Sequence, residues 1–322
     1  MFNNKKKVLF FLTNIFISFI LLYIAYKNIE IDKTLYLLEE LNNIYFVIGI
    51  FFVLFQILIF AYRWKIILKT IRGLDYFYLL KESYIISFLN QILPSYLGGD
   101  LYKIYISNKI KKSLSLSLSL ILFEKYLVLI NLIILIFFST FLLSKINMTE
   151  WFIIFYKFLL IVTTFLILGI LILFKFHNFN VKNKIIKKIQ DFIFKFISLF
   201  RDISLCFKVS FITILGHINL FLAFYFIGMS LNIYLSIFEY SFIFFIIFFA
   251  TQVPISIGGW GIRETVSISI FGLFQVSNEK AFAVSTLFGV TLLIVHLPSI
   301  FVIIFHNQKI KFLKKKQDEL SA

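Results

Sequence analysis

Pro254-Ile255-Ser256-Ile257-Gly258-Gly259-Trp260-Gly261-Ile262-Arg263-Glu264 contains a P-x-x-x-G-G pattern, and Pro94-Ser95-Tyr96-Leu97-Gly98-Gly99-Asp100 contains it again. The chain has only three prolines, so two of them opening the same six-residue pattern marks a repeated feature. Proline cannot continue a helix, and paired glycine permits close backbone approach and unusual dihedrals. Each copy lies in an otherwise apolar chain and is followed by charge. In a membrane protein, helices broken at corresponding positions of two halves point to a substrate site.

The composition sets the environment. Of 322 residues, 61% are hydrophobic and 15% charged, against roughly half and roughly a quarter in soluble domains. An all-α polytopic membrane protein is expected. Phenylalanine alone supplies 45 residues, a bias that suits lipid contact. The formal net charge of +16 comes from Lys and Arg in loops between apolar spans. That is the positive-inside pattern, and it argues against nucleic acid as a partner. The single cysteine, Cys206, excludes an internal disulfide and a thiolate metal cluster. The basic Asn3–Lys7 start runs into an apolar stretch long enough to stay as a span, so no cleavable leader is expected.

A spanning helix needs about 20 apolar residues. Six such spans are predicted: Val8 to Tyr26, Ile44 to Tyr62, Ser113 to Leu143, Trp151 to Phe174, Val209 to Met229 and Ala281 to Phe305. Ile31 to Leu41 has apolar residues at helical spacing and suits the interface. Arg63, Trp64, Lys65, Lys69 and Arg72 form a basic inside loop, with Trp64 at the interface belt. Ser113 to Leu120 alternates Ser and Leu with a strand-like period of two. A helix is nonetheless expected, because an open strand cannot sit in lipid. Lys175 to Lys208 is basic and amphipathic, an interfacial segment that fixes topology or docks anionic headgroups. Pro298 is expected to kink the last span.

Loop charges orient the two broken segments. Tyr76 to Leu93 and the first motif are flanked by basic loops, the second containing Lys103, Lys109, Lys111 and Lys112. The segment therefore enters from the inside and returns there. Ser230 to Lys280 has few basic residues at either end and is expected to begin and end outside. Two re-entrant helical hairpins of opposite sense describe an inverted-topology repeat. One domain over 1–322 is expected, with repeats at about 44–143 and 209–305 and the basic segment at 175–208. Lys145 and Glu150 give a near-neutral outside loop, and the C-terminal Lys309, Lys311, Lys314, Lys315 and Lys316 mark an inside end. The pattern implies a multi-pass cytoplasmic-membrane protein with both termini inside.

Ionisable groups at membrane depth are functional candidates by default. Asp100, Lys103, Glu124, Lys125, Arg263 and Glu264 qualify, with Gly98, Gly99, Gly258 and Gly259 beside them. A guanidinium binds two phosphate oxygens at once, and a helix start attracts anions. Arg263 after a Gly-rich break therefore describes a site for a phosphate-bearing headgroup. It equally describes an Arg263–Glu264 or Arg263–Asp100 pair that locks the hairpins. Glu124 and Lys125 are adjacent, do not face each other and need separate partners. Asn90, Gln91, Ser95, Thr251, Gln252 and Ser256 either satisfy the broken backbone or contact a headgroup. His177, His217, His296 and His306 show no metal-ligand spacing, and no nucleophile elbow or Walker sequence appears. No cofactor, metal or catalytic residue is expected.

At these residues the chain resembles a known family. Arg63-Trp64, Asn90-x-x-x-Pro94, Gly98-Gly99-Asp100, Phe123-Glu124-Lys125 and Pro254-x-x-x-Gly258-Gly259-x-Gly261-x-Arg263-Glu264 are similar to the lysylphosphatidylglycerol synthase transmembrane region, or flippase-like domain. That domain occurs alone or fused to a soluble aminoacyl transferase in multiple peptide resistance factors. It also resembles a region of certain archaeal dolichyl-phosphate glycosyltransferases. The resemblance implies two hairpins meeting near the centre of a bundle, lipid translocation, and Asp100, Arg263 and Glu264 as the central site. Lys103 stands where Arg is common, and Glu124-Lys125 where Asp-Arg is common. A stand-alone form without the transferase domain is expected.

Three functions are then open: a translocator of phosphate-bearing lipid, a membrane component of a lipid-modifying transferase, and an assembly factor without substrate. An anionic phospholipid and a polyprenyl-phosphate-linked lipid both suit a basic site. A second copy of the chain or a separate transferase is a further conceivable partner.

Overall fold

The computed structural model describes residues 4–68, 75–93, 97–111, 113–143, 150–176 and 184–304. Pro94, Ser95, Tyr96, Lys69, Arg72, Lys112, Lys145, His177, Lys182, His306 and the C-terminal lysines lie outside them. Twelve helices follow in order among the described residues: α1 (Asn4–Lys27), α2 (Ile31–Glu39), α3 (Asn43–Ile67), α4 (Tyr76–Ile92), α5 (Leu97–Lys111), α6 (Leu114–Leu142), α7 (Glu150–Phe176), α8 (Lys184–Arg201), α9 (Ile203–Ser230), α10 (Ile237–Thr251), α11 (Ile262–Gly272) and α12 (Asn278–His296). Five are long and apolar enough to cross a membrane, and α1 with α2 makes a sixth, bent by 88°. The protein is an all-α polytopic membrane protein.

The serine stretch is helical, as lipid requires. Ser113 caps α6 by accepting from the Leu116 amide. Ser117 and Ser119 donate back to the carbonyls of Ser113 and Ser115. Ser119 also lies 3.2 Å from the Phe192 carbonyl of α8, which ties the two helices together. Beyond α12 the helix breaks at Leu297-Pro298 and resumes to Ile304.

Helices α3 and α9 form a closely packed antiparallel pair. Asn42 donates to the Ser230 carbonyl at one end, and Asn219 donates to Phe52 and Gln56 further along. Gly49 and Gly216 allow the close approach. An added Cβ at Gly49 would lie 2.8 Å from Ile227, and one at Gly216 3.2 Å from Gln56.

Two helical hairpins flank this pair. In the first, Tyr102 of α5 donates to Glu82 of α4, and Asn90 accepts from the Gly99 amide near the tip. In the second, Phe274 just past α11 packs on Phe242 of α10, and Gly259 sits against Thr251 at the tip. The base of the second hairpin lies where α3 begins and α9 ends. There Lys280 donates to the Asn232 carbonyl and Asn278 to that of Asn28. The base of the first lies where α3 ends: Lys65 sits over the Tyr76 ring, and Lys195 of α8 reaches Ser113. At 1.5 Å per residue α10 and α11 reach about 22 and 16 Å, short of the ~30 Å hydrocarbon core. The packing partners repeat as well. α3 pairs with α4 as α9 with α10, α5 with α6 as α11 with α12, α6 with α10 as α12 with α4.

Each hairpin has its own core. Phe224 of α9 meets Tyr240, Phe244, Phe271 and Phe288 within one aromatic cluster. Part of the phenylalanine content is thus internal packing. The other core gathers Trp64, Leu79, Ile86, Phe123 and Phe196. This corrects the placement of Trp64, which is 1% exposed and belongs to that core, not to an interface belt. Arg63-Trp64-Lys65 lies within α3, near its end, and not in a loop.

The two glycine pairs differ in backbone. Gly258, Gly259 and Gly261 have φ of +56°, +80° and +86°. Gly98 and Gly99 are instead helical, in the first turn of α5. They are small because Leu93 and Asn90 occupy the space a Cβ would need, 2.3 Å away in both cases. The tips of the hairpins touch. The Gly258 amide points to the Leu93 carbonyl at 3.4 Å, and a Cβ on Gly258 would lie 2.3 Å from the Gln91 carbonyl oxygen.

A side chain at Gly258 meets both a left-handed backbone and fixed backbone atoms. Gly258→Ala is expected to cost roughly 2–4 kcal/mol of stability. Gly169→Ala, in the interior of α7 and meeting nothing within 4 Å, should be neutral or stabilise by up to about 1 kcal/mol; thermal unfolding of both in detergent checks this.

Candidate functional site

The hairpin tips, α3, α6, α9 and α12 enclose a cavity of about 150 Å³. Asp100, Lys103, Glu124, Lys125, Arg263 and Gly258 line it, so most of the residues singled out from sequence converge there. Gly98 and Gly99 shape the first tip and Gly259 the second, behind the lining. Glu264 lies behind Arg263, fully buried.

Arg263 is 4% exposed. Its Nε and Nη2 donate to the same oxygen of Glu264, at 3.0 and 2.8 Å. Its guanidinium lies 4.7 Å from the centre of the Trp260 ring. Gly289 of α12 makes room for it: a Cβ there would lie 1.9 Å from Nη2. Glu264 also accepts from the Gly261 amide at 2.6 Å and from Ser285 at 3.3 Å. The start of α11 is therefore closed by its own acid, and Glu264 ties the tip to both α11 and α12. Of the two locking pairs considered, Arg263 takes Glu264 and not Asp100.

Glu124 and Lys125 find separate partners, as their adjacency requires. Glu124 bonds Lys103 through both oxygens at 2.8 and 2.9 Å. It also takes Arg63, with Nε at 3.1 Å and Nη2 at 2.9 Å. Lys125 pairs with Asp100 at 2.8 Å and is partly exposed. Phe60 packs against both Lys103 and Arg63, 4.4 and 5.2 Å from its ring centre.

Three cavity residues went unrecognised as such in the sequence. Arg63 reads there as loop charge, but it sits one turn inside α3 with its side chain 11% exposed. Its place directly after an apolar span was the available signal. His217 and His296, scattered in sequence, both line the cavity. Each donates a ring N–H to a backbone carbonyl, His217 Nε2 to Val128 at 3.2 Å and His296 Nδ1 to Leu292 at 2.6 Å. Among the described residues no group of three or more His, Cys, Asp or Glu is placed to hold a metal.

The polar approach residues divide. Asn90 accepts from Gly99, while Thr251 and Gln252 donate to the Phe248 carbonyl. These satisfy the broken backbone. Gln91 does not: its Oε1 is buried and has no hydrogen-bond partner among the described residues.

The family model described as lysylphosphatidylglycerol synthase TM region matches residues 11–299. The chain belongs to this family. Among curated proteins and solved structures, none matches it. The match to the lysylphosphatidylglycerol synthase TM region takes in both hairpins, the α3–α9 pair and every charged residue of the cavity. In this family member the cavity charges are carried by helices, not by loops; the pairs of Glu124 and Asp100 join different helices, while Arg263 and Glu264 pair within α11. Asp100 and Lys103 come from α5, Glu124 and Lys125 from α6, Arg63 from α3, and Arg263 and Glu264 from α11.

Removing one partner of a buried ion pair strands the other charge. Glu264→Gln is expected to cost about 3–5 kcal/mol, and the double change Arg263→Met with Glu264→Gln less than that. Detergent-denaturation midpoints of the single and double variants provide the comparison.

Proposed function

We propose that this protein translocates a phosphate-bearing lipid headgroup across the cytoplasmic membrane, through the cavity between its two hairpin tips. The observation that carries the reading is the convergence of four cations, Arg63, Lys103, Lys125 and Arg263, on one cavity at the meeting of those tips. Buried charge at such depth is costly and marks substrate paths. Membership of the lysylphosphatidylglycerol synthase TM region family supports the lipid as the substrate class.

The hairpins support a mechanism. Their bases lie at opposite ends of the antiparallel α3–α9 pair, and their packing partners repeat in the two halves. We read them as re-entrant hairpins of an inverted repeat, one opening to each side. Loosening one tip would expose the cavity to one side while the other stays closed, the behaviour of alternating access. The headgroup would move through the polar cavity with its chains in lipid. Arg263 and Glu264 hold the second tip to α12, and the Lys125–Asp100 pair bridges the first tip to α6. The basic loops support a cytoplasmic side for both termini, and the exposed bases of α8, Lys187 and Lys188, fit that reading.

Reconstitution into liposomes tests this. Protein-dependent movement of a headgroup-labelled phosphatidylglycerol between leaflets is expected. Arg263→Gln should slow it by at least about tenfold, the order expected from losing the charge-assisted contact to Glu264 that holds the second tip. Equal rates for the variant and the parent protein would remove the second tip from the mechanism, and absence of protein-dependent movement would overturn the translocation reading.

A further inference from the structure

Charge within the cavity cluster is not balanced evenly. Glu264 is matched to Arg263, and Asp100 to Lys125. Among the described residues Glu124 is ion-paired to two cations, Arg63 and Lys103. Four cations thus face three carboxylates among the described residues, and the excess lies with the first hairpin. Glu82, the other buried acid of that hairpin, does not line the cavity and is occupied by the Tyr102 hydroxyl. Lys103 is 4% exposed, so its surplus charge is held away from water. Such a charge is costly unless an anion answers it.

We infer that Arg63 and Lys103 form the phosphate subsite of the cavity, with Glu124 as the counter-ion that an entering phosphate displaces or shares. The assignment rests on the translocation reading and places the anion at the first hairpin, not at Arg263. Three features fit it. A guanidinium and an ammonium converging on one carboxylate already present the donors a phosphate needs, with Glu124 occupying the position of its oxygens. Phe60 packs on both cations and fixes their position against α3. Arg263, in contrast, spends Nε and Nη2 on Glu264, and the adjoining helix start is capped from within.

Gln91 narrows the ligand. Its side chain lines the same cavity, is 8% exposed, and carries an oxygen without a partner among the described residues. A buried amide oxygen needs a donor. The ligand that completes both groups is a phosphodiester whose headgroup also carries a hydroxyl or an amine.

Binding to the full chain in maltoside micelles decides the matter, with four probes. These are dihexanoyl-phosphatidylglycerol, the methyl ester of dihexanoyl-phosphatidic acid, dihexanoylglycerol and inorganic phosphate. Lys103→Met keeps the Arg63–Glu124 pair and should weaken both phosphodiester probes by about tenfold, the order of one hydrogen bond to a charged group. Glu124→Gln removes the competing carboxylate and should bind them more tightly and be stabilised more by them than the parent protein, a direction that misfolding cannot imitate. Gln91→Leu should weaken phosphatidylglycerol but not the methyl ester. Loss confined to Arg263→Gln, with Lys103→Met unaffected, would overturn the subsite and leave the translocation reading intact. Binding of inorganic phosphate as tight as that of phosphatidylglycerol would keep the subsite and remove the lipid. If dihexanoylglycerol binds as well as phosphatidylglycerol, both the subsite and the phosphate-lipid reading fall.

Discussion

Backbone that leaves a helix inside a membrane must be satisfied by protein, and here two broken segments satisfy and shape each other. Gly258 presses against the Gln91 and Leu93 backbone, so the tip of one hairpin is part of the wall of the other. The rest of the architecture follows from holding these tips together. α1 closes over the second tip, with Ser18 accepting from the Ile257 amide and Gly261 lying against Ser18 and Leu21. The Glu264 carboxylate joins tip, α11 and α12. The antiparallel α3–α9 pair sets the distance between the two hairpin bases.

Charge placement is the second constraint. Each carboxylate of the cavity joins residues that are remote in the chain or caps a break in it. Glu124 of α6 draws in α3 and α5, and Asp100 at the start of α5 returns to α6 through Lys125. A cavity built this way combines charged and polar side chains with apolar walls, among them Phe224, Phe244, Phe248 and Phe288. On the translocation proposal, that suits a headgroup whose chains stay in lipid, with the cations beside Phe60 as its subsite.

Much of this was legible in the sequence, for definite reasons. Lipid enforces helices, so apolar length alone located the spans, and it overrode the strand-like Ser-Leu alternation of α6. Only three prolines in the chain made the repeated motif visible. Adjacent Glu124 and Lys125 could not share a partner on a helix, and they do not. What stayed hidden depended on packing. Trp64 and Arg63 look like a basic, aromatic boundary until α4, α5 and α6 cover them. The glycine pairs look alike, but Gly98 and Gly99 yield space inside a helix while Gly258 and Gly259 supply left-handed turns. His217 and His296 are 79 positions apart in the chain and meet at the cavity only through the fold.

The central claim is that two hairpins enter from opposite sides and meet. Its most direct measurement is labelling of single cysteines with a membrane-impermeant thiol reagent in sealed vesicles, in a Cys206→Ser background. Positions 77 and 109 flank the first hairpin, and 234 and 278 the second; all four are exposed. The account predicts that 77 and 109 label together from one side, and 234 and 278 together from the other. A split within either pair would mean that the segment crosses the membrane, and all four labelling from one side would mean that the hairpins do not oppose each other.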